Sequence, residues 1–113
     1  MRLRALAIVA GLLWPASVFC QEEPGFFISG NQPYEQCSFP LGSVDRAFCA
    51  GYVAGIADAF GGDGTACVPK EVTLQQATDV IMNELRAATR YRHITASLLA
   101  GAALGKTFRC LSK

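Results

Sequence analysis

The chain has 113 residues, 51% of them apolar and 17% charged, with five cysteines, one histidine and a formal net charge of +1. This length holds one domain with a modest core. A charge so close to zero argues against a nucleic-acid or anionic-membrane partner, both of which call for a basic patch.

Residues 1–20 read as a secretory signal peptide. Arg2 and Arg4 form its positive start, Ala5 to Leu13 its apolar centre, and Val18 and Cys20 the two positions before a cut. The apolar run falls short of the roughly 20 residues a membrane span needs. Lipidation of Cys20 is the competing reading, and it is opposed by the bulky Phe19 where such a signal carries a small residue. Removing the leader leaves residues 21–113 as a single helical domain, with eight Lys or Arg against nine Asp or Glu and a charge of −1.

The cut also leaves an even set of cysteines, Cys37, Cys49, Cys67 and Cys110. In a short exported chain that implies two disulfides formed in an oxidising compartment, each stabilising by about 2–4 kcal/mol. The set contains no Cys-x-x-Cys pair and the chain has one histidine, so zinc is not indicated. Three connectivities exist. Chain order favours Cys49–Cys67, joining a core helix to the loop after it, and Cys37–Cys110, joining the ends.

Within the domain, Gln21 to Gly25 is expected to fray. A short helix follows from Asn31 or Gln32 to Cys37, with Pro33 tolerated in its opening turn. Phe39-Pro40-Leu41-Gly42 turns the chain, and Ser43 caps the core helix, predicted over 44–60. Val44, Phe48, Tyr52, Ile56 and Phe60 recur every fourth residue along one side of it. Ala47, Gly51, Ala54 and Gly55 would let another helix approach closely. Gly61, Gly62, Asp63, Gly64 and Thr65 form the glycine loop that ends it. No strand precedes these glycines and no Lys-Ser or Lys-Thr follows them, so this is an exposed turn able to touch a partner, not a phosphate loop.

Thr73 and Gln76 make a capping-box pattern for a helix over about 74–86. Leu74, Ala77, Val80, Ile81 and Leu85 form its buried side, with Gln75, Asp79, Asn83 and Arg86 outside. The chain bends at Ala87, Ala88 and Thr89, and Thr89 caps a last helix predicted over 90–106. Tyr91, Ile94, Leu98 and Ala102 share one side of that helix, widened by Leu99, Ala103 and Leu104. Its small run, Ala100 to Ala103, matches the small residues of the core helix, so the two could pack within a subunit or across a dimer. No segment alternates long enough to need a strand. The fold class is all-α, a small compact bundle of about four helices with two disulfides.

The chemistry is sparse. His93 is the only histidine, flanked by Arg90 and Arg92, with no nucleophile or orienting carboxylate in sequence reach. Asp45 and Asp58 sit near opposite ends of one helix, too far apart for a two-carboxylate site. With all four cysteines paired no reactive thiol remains. The chain reads as a non-enzyme without cofactor or metal. Arg86, Arg90 and Arg92 form its best positive patch, suited to an acidic surface on a protein partner.

Taken in order, Ser29-Gly30-Asn31, Tyr34-Glu35-Gln36-Cys37, the run Cys49-Ala50-Gly51-Tyr52-Val53-Ala54-Gly55-Ile56-Ala57-Asp58, Cys67-Val68-Pro69, Val72-Thr73, Gln76, Arg92-His93, Ala96 and Phe108-Arg109-Cys110 resemble the Rap/Tai immunity proteins. The likeness spans about 29 to 110. Its most specific part is Cys-x-Gly-Tyr-x-x-Gly-x-x-Asp with Cys-x-Pro downstream. Members are small periplasmic helical proteins that neutralise cell-wall amidase toxins delivered by type VI secretion. Many end in Phe-Pro-Cys, where this chain has Phe108-Arg109-Cys110. Many turn through His-Pro where it has Ala88-Thr89, at the place where members can present a loop to the toxin. The resemblance implies a homodimer that occupies an amidase active site without catalysis of its own and has no membrane contact once the leader is gone. With exposure, it points to two contact regions: Ala87, Ala88, Thr89, Arg90, Tyr91 and Arg92, and the loop Gly61 to Thr65. Other readings are a periplasmic chaperone or envelope-stress protein of the HdeA kind, for which nine carboxylates and one histidine are a modest supply of titrating groups, and an envelope structural module without toxin binding.

Overall fold

Ser43 and Thr73 start helices as expected. In the computed structural model, which describes residues 27–111, the chain forms α1 (Asn31–Gln36), α2 (Val44–Gly62), α3 (Leu74–Ala87) and α4 (Ala96–Thr107). The Ser43 hydroxyl accepts from the Arg46 N–H at 3.1 Å. Thr73 and Gln76 close the capping box, with bonds of 3.1 and 2.8 Å. Two orphan donors at the start of α3 are thereby satisfied locally. Among the described residues the only β pairing is an isolated bridge between Ser29 and Thr95, and no helix is long and apolar enough to cross a membrane. The expected leader and the fraying stretch at residues 21–25 lie outside the described residues.

The core gathers where α2, α3 and α4 meet. Cys49, Val53, Ile81, Leu85 and Leu104 are its largest fully buried side chains. α3 contributes Ala77, Thr78, Ile81, Met82 and Leu85, while Gln75, Asp79, Asn83 and Arg86 face water as expected. Leu74 departs from the expected buried side and is 42% exposed, lying on an open groove between α2 and α3. The Arg46 guanidinium reaches from α2 to the Cys37 carbonyl and, at 2.5 Å, to Gln75 Oε1. One side chain thus joins the end of α1 to α2 and α3.

Three expectations are corrected. The disulfides are Cys37–Cys49 and Cys67–Cys110, not Cys49–Cys67 and Cys37–Cys110. Cys49 lies in the second turn of α2, about 20 Å along the axis from the end that leads to Cys67 at 1.5 Å per residue. Cys37 caps α1 and faces Cys49 with a Cα–Cα distance of 5.1 Å. Cys67 emerges instead beside the C-terminal segment, where its N–H donates to the Phe108 carbonyl at 2.8 Å.

The last helix begins at Ala96, not at residue 90, and Thr95 precedes it without a side-chain cap. The backbone of 28–31 claims the intervening segment. Gly30 N–H donates to the Ile94 carbonyl, Asn31 N–H to that of Arg92, and Ala96 N–H to that of Ile28, all at 2.8–2.9 Å. With those groups committed, residues 92–95 cannot close α-helical bonds. The buried side of α4 is Ala96, Ala100, Gly101, Ala103 and Leu104, while Tyr91, Leu98 and Ala102 are exposed.

The third correction concerns α2. It buries Cys49 and Val53, with Ile56, Ala57 and Phe60 packed against the core. The periodic line Val44–Phe48–Tyr52 turns away from the core, leaving Val44 86% and Phe48 41% exposed. The small run of α4 does pack onto α2, but under the Phe60 ring at Gly101 rather than against the α2 glycines.

Candidate partner-binding surfaces

The expected contact turn is built from successive backbone bonds. Ala87 is the last helical residue of α3, and Ala88 N–H closes onto the Glu84 carbonyl at 2.8 Å. Tyr91 N–H then donates to Ala88, Ile94 N–H to Tyr91, and the Thr89 hydroxyl to the Arg86 carbonyl at 3.2 Å. Pairing of Gly30 and Asn31 with the segment fixes its far side. Gly30 is required there, since a Cβ would lie 2.9 Å from the Arg92 carbonyl and 2.5 Å from Leu99 Cδ1. A turn held at this many points is pre-organised, which lowers the entropy lost when a partner docks.

Its side chains divide into two kinds. Thr89, Arg90 and Tyr91 are exposed, and Arg90 makes no hydrogen bond or ion pair among the described residues. Arg92 is half-buried, with its guanidinium over the Tyr34 ring at 4.0 Å, a cation–π contact that anchors the turn to α1. Arg86 bonds Asn83 Oδ1 at 2.8 Å on the outer face of α3. Of the three arginines expected as one patch, Arg86 and Arg90 are exposed without an ion pair among the described residues, and Arg92 is held against Tyr34.

The glycine loop is equally defined. Gly61 and Gly62 form the last turn of α2, Asp63 caps it, and Gly64 takes a left-handed φ of 79° that a side chain would strain. Asp63 Oδ1 accepts from Thr65 N–H at 2.8 Å, and all five residues from Gly61 to Thr65 are exposed. The two expected regions do not form one patch. The turn adjoins the start of α4, whereas the Thr65 carbonyl lies against Gly105 near its end. The 12 residues of α4 separate them by about 18 Å.

A third surface is the outer side of α2, which carries Val44 and Phe48 from the periodic line. Leu41 is 80% exposed just before it, and Phe48 stacks on Tyr52 at 6.4 Å on its surface. An open groove of about 310 Å³ runs beside it against α3, lined by Leu41, Arg46, Ala47, Ala50 and Leu74. The available signal was that α2 is apolar all round. A helix without a polar face is either enclosed or has a partner on more than one side.

His93 is exposed in the turn, and no three His, Cys, Asp or Glu among the described residues come together as metal ligands. Both disulfides engage all four cysteines of the domain. The arrangement offers a rigid turn, a rigid loop and an apolar helix face, which are means of binding a protein. A comparison with family models matches residues 29–110 to the Rap1a immunity proteins. No curated protein and no solved structure matches the chain.

Proposed function

From the membership of this chain in the Rap1a immunity protein family, we propose that it binds a peptidoglycan amidase delivered by type VI secretion and occludes that enzyme's active site, acting in the periplasm as a homodimer. The family match over residues 29–110 carries the reading. A leader over 1–20 would export the chain to an oxidising compartment, where Cys37–Cys49 and Cys67–Cys110 form. Inhibition by occupation asks for a rigid protrusion and no catalytic group. The turn Ala87–Arg92 supplies one, with Thr89, Arg90 and Tyr91 as its outward side chains. The loop Gly61–Thr65 is the second contact region. Separated from the turn by the length of α4, it falls within the roughly 30 Å breadth of one standard interface.

The test is co-purification of the periplasmic protein with the amidase encoded beside its gene, followed by a cell-wall hydrolysis assay. A stoichiometric complex with hydrolysis abolished is the expected result. Arg90→Glu should weaken the complex by about tenfold or more, equivalent to roughly 1.4 kcal/mol, at an unchanged melting temperature. No complex with that amidase, together with holdase activity at low pH, would move the function to an acid-stress chaperone.

A further inference from the structure

We infer that the toxin partner presents an acidic surface to the end of this molecule that carries Arg86, Arg90 and Arg92, and that long-range attraction captures it there before the two surfaces dock. The inference rests on the amidase binding of the preceding section and deepens it, assigning the chemistry of the partner's surface and the step which that chemistry governs.

The near-zero net charge conceals a separation of charge along the chain. All nine Asp and Glu lie at or before Glu84, whereas six of the eight Lys and Arg beyond residue 20 lie after it. The structure carries part of that separation into space. Arg86 sits in the last turn of α3, Arg90 on the turn that follows, and Arg92 where that turn meets α1. Arg86 and Arg90 are exposed, and none of the three forms an ion pair among the described residues. The carboxylates around them do not compensate. Glu84 is engaged by Lys106 at 3.5 Å, and Glu35, beside Tyr34 on α1, is exposed and makes no ion pair among the described residues. The bond from Arg86 to Asn83 Oδ1 and the stacking of Arg92 on Tyr34 hold the guanidinium groups without neutralising them.

Magnitude selects the partner. An anionic membrane surface calls for about 4–8 clustered Lys or Arg, and a nucleic acid for a basic stripe along a whole face. Three arginines, one of them half-buried over a ring, meet neither requirement. They match a protein surface on which a few Asp or Glu gather. There opposite charges raise the association rate about tenfold or more and like charges reject wrong partners. The other end of α4 does not share this role. Arg109 follows that end, and Lys70 lies shortly after Cys67, which is joined to Cys110. The 12 residues of α4 hold the two ends about 18 Å apart. That exceeds the Debye length of about 8 Å at physiological salt, so each end acts on an approaching partner by itself.

The test uses protein exported from the full chain and a labelled form of the amidase encoded beside its gene, with binding and release followed by stopped-flow fluorescence. Salt is varied from about 10 mM to about 150 mM, which shortens the Debye length from about 30 Å to about 8 Å. Association should slow about tenfold across that range while dissociation changes less than about twofold. Arg86→Glu with Arg90→Glu should slow low-salt association about tenfold or more and abolish the salt dependence, with the circular dichroism melt still cooperative. Lys70→Glu with Arg109→Glu makes the same change in net charge at the other end of α4 and should leave association within about twofold of the wild type. A complex whose association rate ignores salt would overturn the inference and leave amidase inhibition standing. Equal slowing by both pairs of substitutions would mean attraction by net charge and overturn the assignment to this end. Capture by phosphatidylglycerol vesicles, lost on Arg86→Glu with Arg90→Glu, would replace the acidic protein with a membrane. Absence of any complex would remove the amidase reading and this inference with it.

Discussion

Arg92 lays its guanidinium over the Tyr34 ring at 4.0 Å while its carbonyl accepts from Asn31, so its truncation removes the side-chain link between the turn and α1 and leaves the backbone one. A half-buried cation–π contact contributes about 1 kcal/mol, and the alkyl stem adds packing. Arg92→Ala should therefore lower the urea midpoint, whereas Arg90→Ala should leave it unchanged within about 0.5 kcal/mol, as expected for a surface site. Equal effects would show that the stack carries no stability. The sequence places both arginines in one patch because the ring that separates their roles comes from α1, far along the chain. Tyr52 allows a second prediction at this scale. Burial raises its phenol above the ordinary value of 10.0. A raised folded pKa contributes stability that is fully present below the unfolded pKa and is lost as pH rises through the folded one. Denaturation midpoints should fall more steeply above pH 10 for the wild type than for Tyr52→Phe, which keeps the ring and loses the ionisation. Parallel curves for the two proteins would refute this.

At the scale of elements, the glycines of α2 and α4 predict opposite responses to the same substitution. A Cβ at Gly105 would lie 2.8 Å from the Thr65 carbonyl, which is backbone and cannot rotate aside. Overpacking of this kind costs about 1–3 kcal/mol, and the helix propensity gained is about 1 kcal/mol, so Gly105→Ala should be neutral to destabilising by up to about 2 kcal/mol. Gly55→Ala meets nothing and should stabilise the fold by about 0.5–1 kcal/mol. Thermal melts of the two variants, read against the wild type, check the signs. What was legible in the sequence at this scale follows the range of the forces. The caps at Ser43 and Thr73 depend on residues three positions away and were readable. The start of α4 depends on backbone bonds from 28–31 to 92–96, so the local pattern extended the helix through residues already committed elsewhere. The inward side of α2 was not readable either, because a helix apolar all round has two candidate faces and only its neighbours choose between them. The outward face of the contact turn was half legible: exposure at Thr89, Arg90 and Tyr91 follows from local composition, while the anchoring of Arg92 does not.

For the whole molecule, the even set Cys37, Cys49, Cys67 and Cys110 makes two disulfides legible in the sequence, but pairing is a matter of three-dimensional proximity, and chain order alone favours the wrong partners. The observed pairing has a consequence for how the fold comes apart. Cys37 and Cys49 are 3% and 0% exposed within the core, whereas Cys67 is exposed on the surface. Thiol–disulfide exchange needs access to a sulfur, so dithiothreitol should open Cys67–Cys110 first and reach Cys37–Cys49 only through unfolding. The first bond closes a loop over 43 residues of separation, which restrains the unfolded chain by about 4 kcal/mol in the loop-entropy model. A domain of this size has a total stability of roughly 5–10 kcal/mol, so opening that one bond removes a large share of it. The native protein should therefore show an early stage in which alkylation labels Cys67 and Cys110 while Cys37 and Cys49 stay protected and the helical signal persists with a lowered melting temperature. A second stage should follow in which both remaining thiols appear together with loss of helix. Labelling at Cys37 or Cys49 before helix loss would mean that the α1–α2 contact opens locally, and that the core does not protect the bond it surrounds.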